Sequence, residues 1–401
     1  MLGNVHTVLL LLAAAEGTQI SRRVALSGAA VYACSCRRAA NAEPPPSRLA
    51  GALYRCARGD QRLMAEKSAD QLLRSELVLC GEHHSDRADH DLELALLQQM
   101  ADAADTDGVG LALGAEMFER AKQPVLDAYV AGDLSDSELY EQTEWSTRWA
   151  WDFDAYAPIW REARERRIRI VALNTDTEVI KPVVVGGLPA LSNASRSALV
   201  PDPMGFAQAT THPYFGRYVD AVIMSSYGIH VSEELIDSRA TPANFFATSV
   251  LRDEAMASAG AAAISAGGAT TASRGGGARS VGRALLLVGA GHCKYELGVA
   301  ARLRRYAPPK ARISTVLLNT LPSDTLSPDP QRLALALGPE ADAPALADYV
   351  LYTQGGAVRV ATPEESAAAC DTCADDGPSP KKPTVSRSLM RQAAADGILS
   401  T

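Results

Sequence analysis

A recurring pattern of short apolar runs, each halted by small or polar residues, constrains this chain more than any other feature. Leu77-Val78-Leu79-Cys80 stops at Gly81-Glu82-His83-His84, and Val109 to Leu113 stops at Gly114-Ala115-Glu116-Met117. Ile168 to Leu173 ends at Asn174, and Ala284 to Val288 ends at Gly289-Ala290-Gly291-His292. Unbroken apolar runs of this length suit strands buried on both faces, as in a parallel sheet whose crossover helices cover each side. Helical spacing lies between them: Asp89 to Met100 carries Leu92, Ala95 and Leu96 behind an N-terminal Asp, and Asp127 to Tyr140, Tyr156 to Arg167 and Asn244 to Met256 read as further helices. A helix is also expected around Leu63 to Leu73, and Ile313 to Leu318 and Tyr349 to Thr353 supply two more strands. Regular alternation argues for an α/β fold: a single compact domain with a mainly parallel sheet flanked by helices.

Charge divides the chain into parts. The formal charge is −8, with 39 Lys and Arg against 47 Asp and Glu, a balance that does not attract a phosphate backbone, so nucleic acid is not an expected partner. Residues 1–42 hold Arg22, Arg23, Arg37 and Arg38 against Glu16, a net +3 that leaves −11 on the remaining 359. Ser21-Arg22-Arg23-Val24-Ala25-Leu26 has the form of a twin-arginine signal and Ala40-Asn41-Ala42 that of an A-x-A cleavage site, so residues 1–42 are expected to be a targeting leader. The upstream apolar run Val8 to Ala15 is far shorter than the roughly 20 residues a bilayer needs, and no transmembrane helix is expected in the mature chain. Two stacked leaders fit a chloroplast route with a twin-arginine step into the thylakoid lumen; a secreted or periplasmic destination accounts for the second alone. Residues 43–62 read as a linker, 63–361 as the domain and 362–401 as a disordered tail. Within the domain, 257–280 is nearly all Ala, Gly, Ser and Thr and reads as a flexible insert. Cys56, Cys80, Cys293, Cys370 and Cys373 remain after the leader, an odd and scattered set that makes no disulfide framework. The Cys370-x-x-Cys373 pair lacks the strand and helix that a thioredoxin-like motif needs.

Histidine is scarce, seven in 401 residues, yet His83, His84 and His90 fall within eight positions. In an open parallel sheet, ligands sit outside the carboxyl ends of the strands. Glu82 and His84 follow one run, Glu116 another and His292 a third. Two carboxylates and two imidazoles at one sheet edge can hold a metal or act as an acid/base group, and His90 is placed to join or orient them. Taken singly, each histidine is better read as a satisfied polar residue at a strand end; the convergence of three strand ends argues for a site. His212 and His230 lack that context and read as surface or packing residues. All four tryptophans lie between Trp145 and Trp160, where they either wall a pocket for a flat apolar ligand or, more plainly, bury a helix pair against the sheet. Arg252-Asp253, read as a helix end, reaches the crevice or sits in solvent.

The ordered succession Gly81-Glu82-x-His84, Ala115-Glu116-Met117, Trp149-x-Trp151-Asp152-x-Asp154-x-Tyr156-x-Pro158-Ile159, Val171-Ala172-Leu173-Asn174, Arg252-Asp253-Glu254-x-Met256-Ala257, Gly289-Ala290-Gly291-His292 and Ala347-Asp348-Tyr349-Val350 resembles the ChaN-type haem-binding family. That family belongs to the Tiki superfamily, which also contains proteins similar to metal-dependent proteases and erythromycin esterases. The resemblance runs from residue 65 to residue 355 and implies an erythromycin-esterase/ChaN-like α/β fold, a role in haem or iron handling, haem held through a tyrosine, and a homodimer sandwiching paired haems. Tyr156 and Tyr295 are the candidate tyrosines, with His84, His292, Trp149, Trp151 and Arg252 as further haem-contacting candidates. In hydrolase-like members the strand-end Glu and His residues form the active site, and Glu82, His84, Glu116 and His292 fall on the matching positions, as catalytic residues and as metal ligands. The low-complexity insert, the Cys293-Lys294-Tyr295-Glu296 run and the lack of a glutamine before Arg252 depart from the family pattern. Two readings compete: a protein that binds haem or another tetrapyrrole, with tyrosinate or imidazole on iron, or a hydrolase whose divalent ion lowers the pKa of bound water to about 7. The closer match to ChaN favours haem.

Overall fold

The computed structural model describes residues 51–57, 62–66, 68–232, 236, 240–265, 270–272, 278–327, 329–353 and 359–360. The expected leader, the tail with Cys370 and Cys373, and parts of the 257–280 segment lie outside them. The strands are β1 (Ala52–Ala57), β2 (Arg62–Ala65), β3 (Leu77–Glu82), β4 (Gly110–Glu119), β5 (Arg169–Asn174), β6 (Thr270–Ala272), β7 (Ala278–Gly289), β8 (Ile313–Leu318), β9 (Arg332–Leu333), β10 (Tyr349–Tyr352) and β11 (Arg359–Val360). The main sheet runs β2-β1-β10-β8-β3-β7-β4-β5. Its strands from β10 to β5 are parallel, whereas β1 pairs antiparallel with β10 and β2, and β6 antiparallel with β7. β9 and β11 form a separate parallel pair.

β3 and β4 are buried at every position because helices cover both faces of the sheet. Along β3, Leu77 and Leu79 enter one core while Val78 and Cys80 enter the other, so the two-residue period splits one apolar run between two layers. One layer holds α1 (Arg87–Asp107) and α2 (Phe153–Arg166), which pack on each other. Asp86 caps α1 by accepting from the Ala88 N–H, and Asp152 caps α2 by accepting from that of Asp154. The other layer holds α3 (Pro242–Ala262) and α4 (Val299–Tyr306). There Gly260 lets α3 lie close on β7: a Cβ at that position would meet Leu286 Cδ1 at 2.6 Å.

The structure corrects several expectations. The segment expected to be a flexible insert begins as helix: α3 continues to Ala262 with Ala257 and Ala261 buried, and β7 starts at Ala278. Alanine is the best helix former, and its small side chain lets a helix approach a sheet, so a linker-like composition here extends an element. The expected 43–62 linker contains β1, paired with β10 from Ala52 opposite Tyr352, and the domain therefore starts before residue 63. Leu53 and Cys56 enter opposite cores, so no polar alternation marks that strand. Instead of a helix over Leu63–Leu73 there are β2 and a single turn, Asp70–Leu73. The expected Asp127–Tyr140 helix is two helices, Gln123–Ala131 and Asp136–Gln142. Gly132 ends the first in the left-handed region (φ 92°), and a Ser135/Glu138 capping box starts the second. No helix among the described residues is long and apolar enough to cross a membrane.

Candidate functional site

The order β3-β7-β4 sets three carboxyl ends side by side. Glu82 lies opposite Gly289, and Glu116 follows directly on the Ala115–Leu287 pair. β4 runs on to Glu119, so Glu116 is a strand residue and does not follow the strand. His84 stands just past β3, and His292 sits on the turn Ala290–Cys293 after β7. Residues more than 200 positions apart thus share one edge.

On the β3 side, Glu82 is buried and its Oε1 accepts from the Tyr156 hydroxyl at 2.7 Å and from His84 Nδ1 at 2.5 Å. Burial alone would raise the Glu82 pKa, but the bond from His84 and the nearby His90 ring outweigh it and hold the carboxyl below its ordinary range. With Nδ1 donating to Glu82, Nε2 is the ring nitrogen left to face Gly289: a Cβ there would lie 2.8 Å from it. The ring centroid lies 4.3 Å from that of Trp151 and 4.9 Å from that of Trp149.

On the β4 side, Glu116 Oε2 accepts from the Gly289 N–H at 2.7 Å, and Oε1 accepts from Arg252 Nη2 at 2.8 Å with His292 Nε2 at 3.4 Å. His292 Nδ1 donates to Asp253 Oδ1 at 2.5 Å. Burial pushes the His292 pKa down, yet the charges of Glu116 and Asp253 outweigh it and raise it to about 10, so the ring is cationic at neutral pH. Burial likewise opposes the Glu116 charge, and His292 and Arg252 hold that carboxyl well below the usual range. Arg252 also donates from Nε to Asn174 Oδ1 at 3.1 Å. Arg252-Asp253 is therefore no helix end in solvent: it lies inside α3, one residue reaching Glu116 and the other His292.

His83 bridges Asp89 Oδ2 (2.8 Å from Nδ1) and Asp324 Oδ2 (3.2 Å from Nε2). The aromatic run divides. Trp145, Phe153, Tyr156 and Trp160 fill the core under α1 and α2, Tyr156 stacking on Trp160, while Trp149 and Trp151 flank His84. Tyr156 reaches Glu82, but Tyr295 packs into the opposite core, so the two candidate tyrosines lie on different faces of the sheet. Residue 295 has a left-handed backbone (φ 60°).

The four strand-end residues share an edge, but their ligand atoms do not gather into a set within 4.8 Å of one another. Among the described residues, the set with three ligand atoms within 4.8 Å of one another is Glu82, His90 and Glu93. The sequence reading missed Glu93. Its signal was an acid on the buried stripe of α1, in line with Leu97, Met100 and Ala104.

The sequence profile of the family described as haem-binding uptake, Tiki superfamily, ChaN matches residues 68–303, more than half of the chain. The chain belongs to this family. The matched span holds β3, β4, β5 and β7 and with them Glu82, His84, Glu116, Tyr156, Arg252 and His292; β1, β2, β8 and β10 of this ChaN-family chain lie outside it. A relative from Arabidopsis thaliana, Protein RETICULATA-RELATED 5, chloroplastic, is 24% identical over 294 residues, covering 71% of this chain and 35% of that protein. The chain thus spans about a third of that relative's length. The solved structure "Cofacial heme binding to ChaN of Campylobacter jejuni" superposes with a TM-score of 0.48 at 14% identity, covering 75% of this chain and 96% of its own.

Proposed function

We propose that this ChaN-family protein binds haem at the carboxyl edge of β3, β7 and β4 and serves in haem or iron handling. The observation that carries this reading is His84: its side chain is 19% exposed above a wholly buried Glu82, which fixes Nδ1 and so orients the ring, as the outer partner of a metal-ligating histidine does. Trp149 and Trp151 supply an apolar wall beside it, and Arg252, 26% exposed, supplies a cation at the same edge for a propionate. These residues fit haem. Bound haem would contribute a redox-active iron; the chain's own part is to orient an imidazole, cover the macrocycle and balance its acid groups.

His84 is a better iron ligand here than His292, whose two ring nitrogens both face carboxylates. It is also better than Tyr156, because burial, and then the Glu82 charge, raise that phenol far above its usual pKa. The hydrolase reading needs Glu116 as a ligand, and Glu116 is not among the residues whose ligand atoms gather within 4.8 Å of one another. Titrating the purified protein with hemin should give a Soret shift saturating at about one haem per subunit, and His84→Ala should abolish it. An unchanged hemin spectrum with folded wild-type protein overturns the proposal.

A homodimer and a chloroplast location, with the thylakoid lumen as final compartment, complete the proposed picture. The twin-arginine pattern expected of residues 1–42 supports the location, and a relative whose name includes "chloroplastic" is consistent with it. A mature N-terminus near Glu43 and co-fractionation with lumenal proteins are the expected results; light scattering with and without hemin tests the dimer.

A further inference from the structure

Behind the strand-end edge lies a second group of ligating side chains. Glu82 commits Oε1 to His84 and Tyr156 and leaves Oε2 for the interior, where His90 and Glu93, three residues apart on one face of α1, stand beside it. None of the three is more than 3% exposed. Five of their polar atoms make no hydrogen bond: Glu82 Oε2, both His90 ring nitrogens and both Glu93 oxygens. Buried polar atoms nearly always find partners, and each one left unmet costs about 1–3 kcal/mol, so five together mark a place built for something else. Among the described residues, no lysine or arginine forms an ion pair with Glu82 or Glu93.

The spacing indicates what belongs there. His90 Nε2 stands 3.4 Å from Glu82 Oε2, without hydrogen-bond geometry. Ligands at about 2.0–2.2 Å around a tetrahedral zinc-sized ion are separated by about 3.4 Å, so this pair already has the length of one edge of such a shell. A Glu93 oxygen completes a triplet within 4.8 Å, which a modest contraction would close. Two carboxylates and a dication sum to zero charge, removing the unpaired acid from the core. Two oxygens and one imidazole nitrogen suit zinc, manganese or ferrous iron better than a soft monovalent ion, which prefers sulfur, or calcium, which takes six to eight oxygens.

We propose that Glu82, His90 and Glu93 form an interior site for a divalent transition-metal cation, separate from the edge at which haem is proposed and joined to it through the two oxygens of Glu82. The ion is structural: it fixes the carboxylate that orients His84. The site does not depend on the haem reading. Its competitor is a proton held between Glu82 and Glu93.

The test uses the full chain, purified without a metal-affinity tag, incubated with zinc or cobalt(II) and dialysed. Elemental analysis should find about one ion per chain, and bound cobalt should give visible ligand-field absorption. Glu93→Gln and, separately, His90→Gln should return both signals to background. His84→Ala should keep the ion while losing the hemin Soret shift, so the two sites fail independently. Folded wild-type protein that retains neither ion overturns the site, and so does retention unaffected by Glu93→Gln.

Discussion

Two of the places where the domain buries acids neutralise them by different means. Beside α3 and α4, Asp253 and Glu254 face Arg302, whose Nη1 lies 3.8 Å from Asp253 Oδ2 and whose Nε lies 3.3 Å from Glu254 Oε2. Arg305 and Tyr306 also bond to Glu254. Arg302 is itself fully buried and anchored by the carbonyls of Leu297 and Gly298. Beside α1, Glu82 and Glu93 meet His90, His84 and Tyr156 but no guanidinium. Around Asp253 and Glu254 the chain supplies arginine, which cannot lose its proton. The Glu82 cluster has no such fixed partner. Burial and then the Glu82 charge push the Glu93 carboxyl well above its ordinary range, so without an added cation Glu93 keeps its proton.

Removing the fixed cation breaks the comparison from one side. Arg302→Met should lower the unfolding free energy by about 3–5 kcal/mol, because two buried acids lose the guanidinium they share. Urea denaturation measures it, and a loss below about 1 kcal/mol would mean that the two clusters are not different in kind. Glu93→Gln tests the other side. In metal-free protein it should change stability by about 1 kcal/mol or less, since a neutral group replaces a neutral group. Zinc at a hundredfold excess over its Kd should stabilise the wild type by about 2.7 kcal/mol and the variant not at all, read from the same urea curves with and without chelator. Between the clusters stands Gly289. Gly289→Ala places a methyl against His84 Nε2, and the ring must tilt off Glu82 to admit it. We expect a loss of about 1–3 kcal/mol, expressed more in hemin affinity than in thermal stability; an unchanged hemin titration would show that the orientation of His84 is immaterial.

The sheet and the strand-end acids were legible because both come from one local signal, an apolar run and the residue that stops it. Glu82, His84 and His292 obey that signal. Glu116 obeys it loosely, since β4 is held in the sheet by β5 and β7 beyond the point where the run breaks. Tyr295 shows the limit of chain proximity: three residues from His292, it packs into the core on the sheet face opposite Tyr156. Glu93 was hidden for the reverse reason. A single acid among leucines looks like ordinary helix polarity until the helix is docked, and only its place on the buried stripe distinguishes it from the solvated acids of the same helix. The pairing of Asp253 with His292 depends on how α3 crosses the sheet edge, which no local pattern encodes. Alanine-rich sequence was ambiguous at 257–262 because the same residues serve a flexible linker and a closely packed helix.

The smallest expected effect isolates the role of water. Glu76 and Arg312 repeat the carboxylate–guanidinium chemistry of Glu254 and Arg302 at the surface: Glu76 Oε2 accepts from the Arg312 backbone N–H at 2.8 Å and from its Nε at 3.1 Å. Partial burial raises the Glu76 pKa, but the bonds from Arg312 outweigh it and the net shift is downward from 4.5. Because water solvates both partners, Glu76→Gln should cost only about 0–1 kcal/mol at neutral pH, several times less than Arg302→Met. The sign of its pH dependence is fixed. A carboxyl whose folded pKa is depressed contributes fully above its unfolded value of 4.5, and the contribution fades as pH falls through the lower folded value. The stability gap between wild type and Glu76→Gln should therefore be flat from neutral pH down to the carboxylate range and close below 4.5. A surface gap as large as the buried one would mean that exclusion of water is not what separates the two, and that the lack of arginine around Glu82 and Glu93 carries no information about a cation.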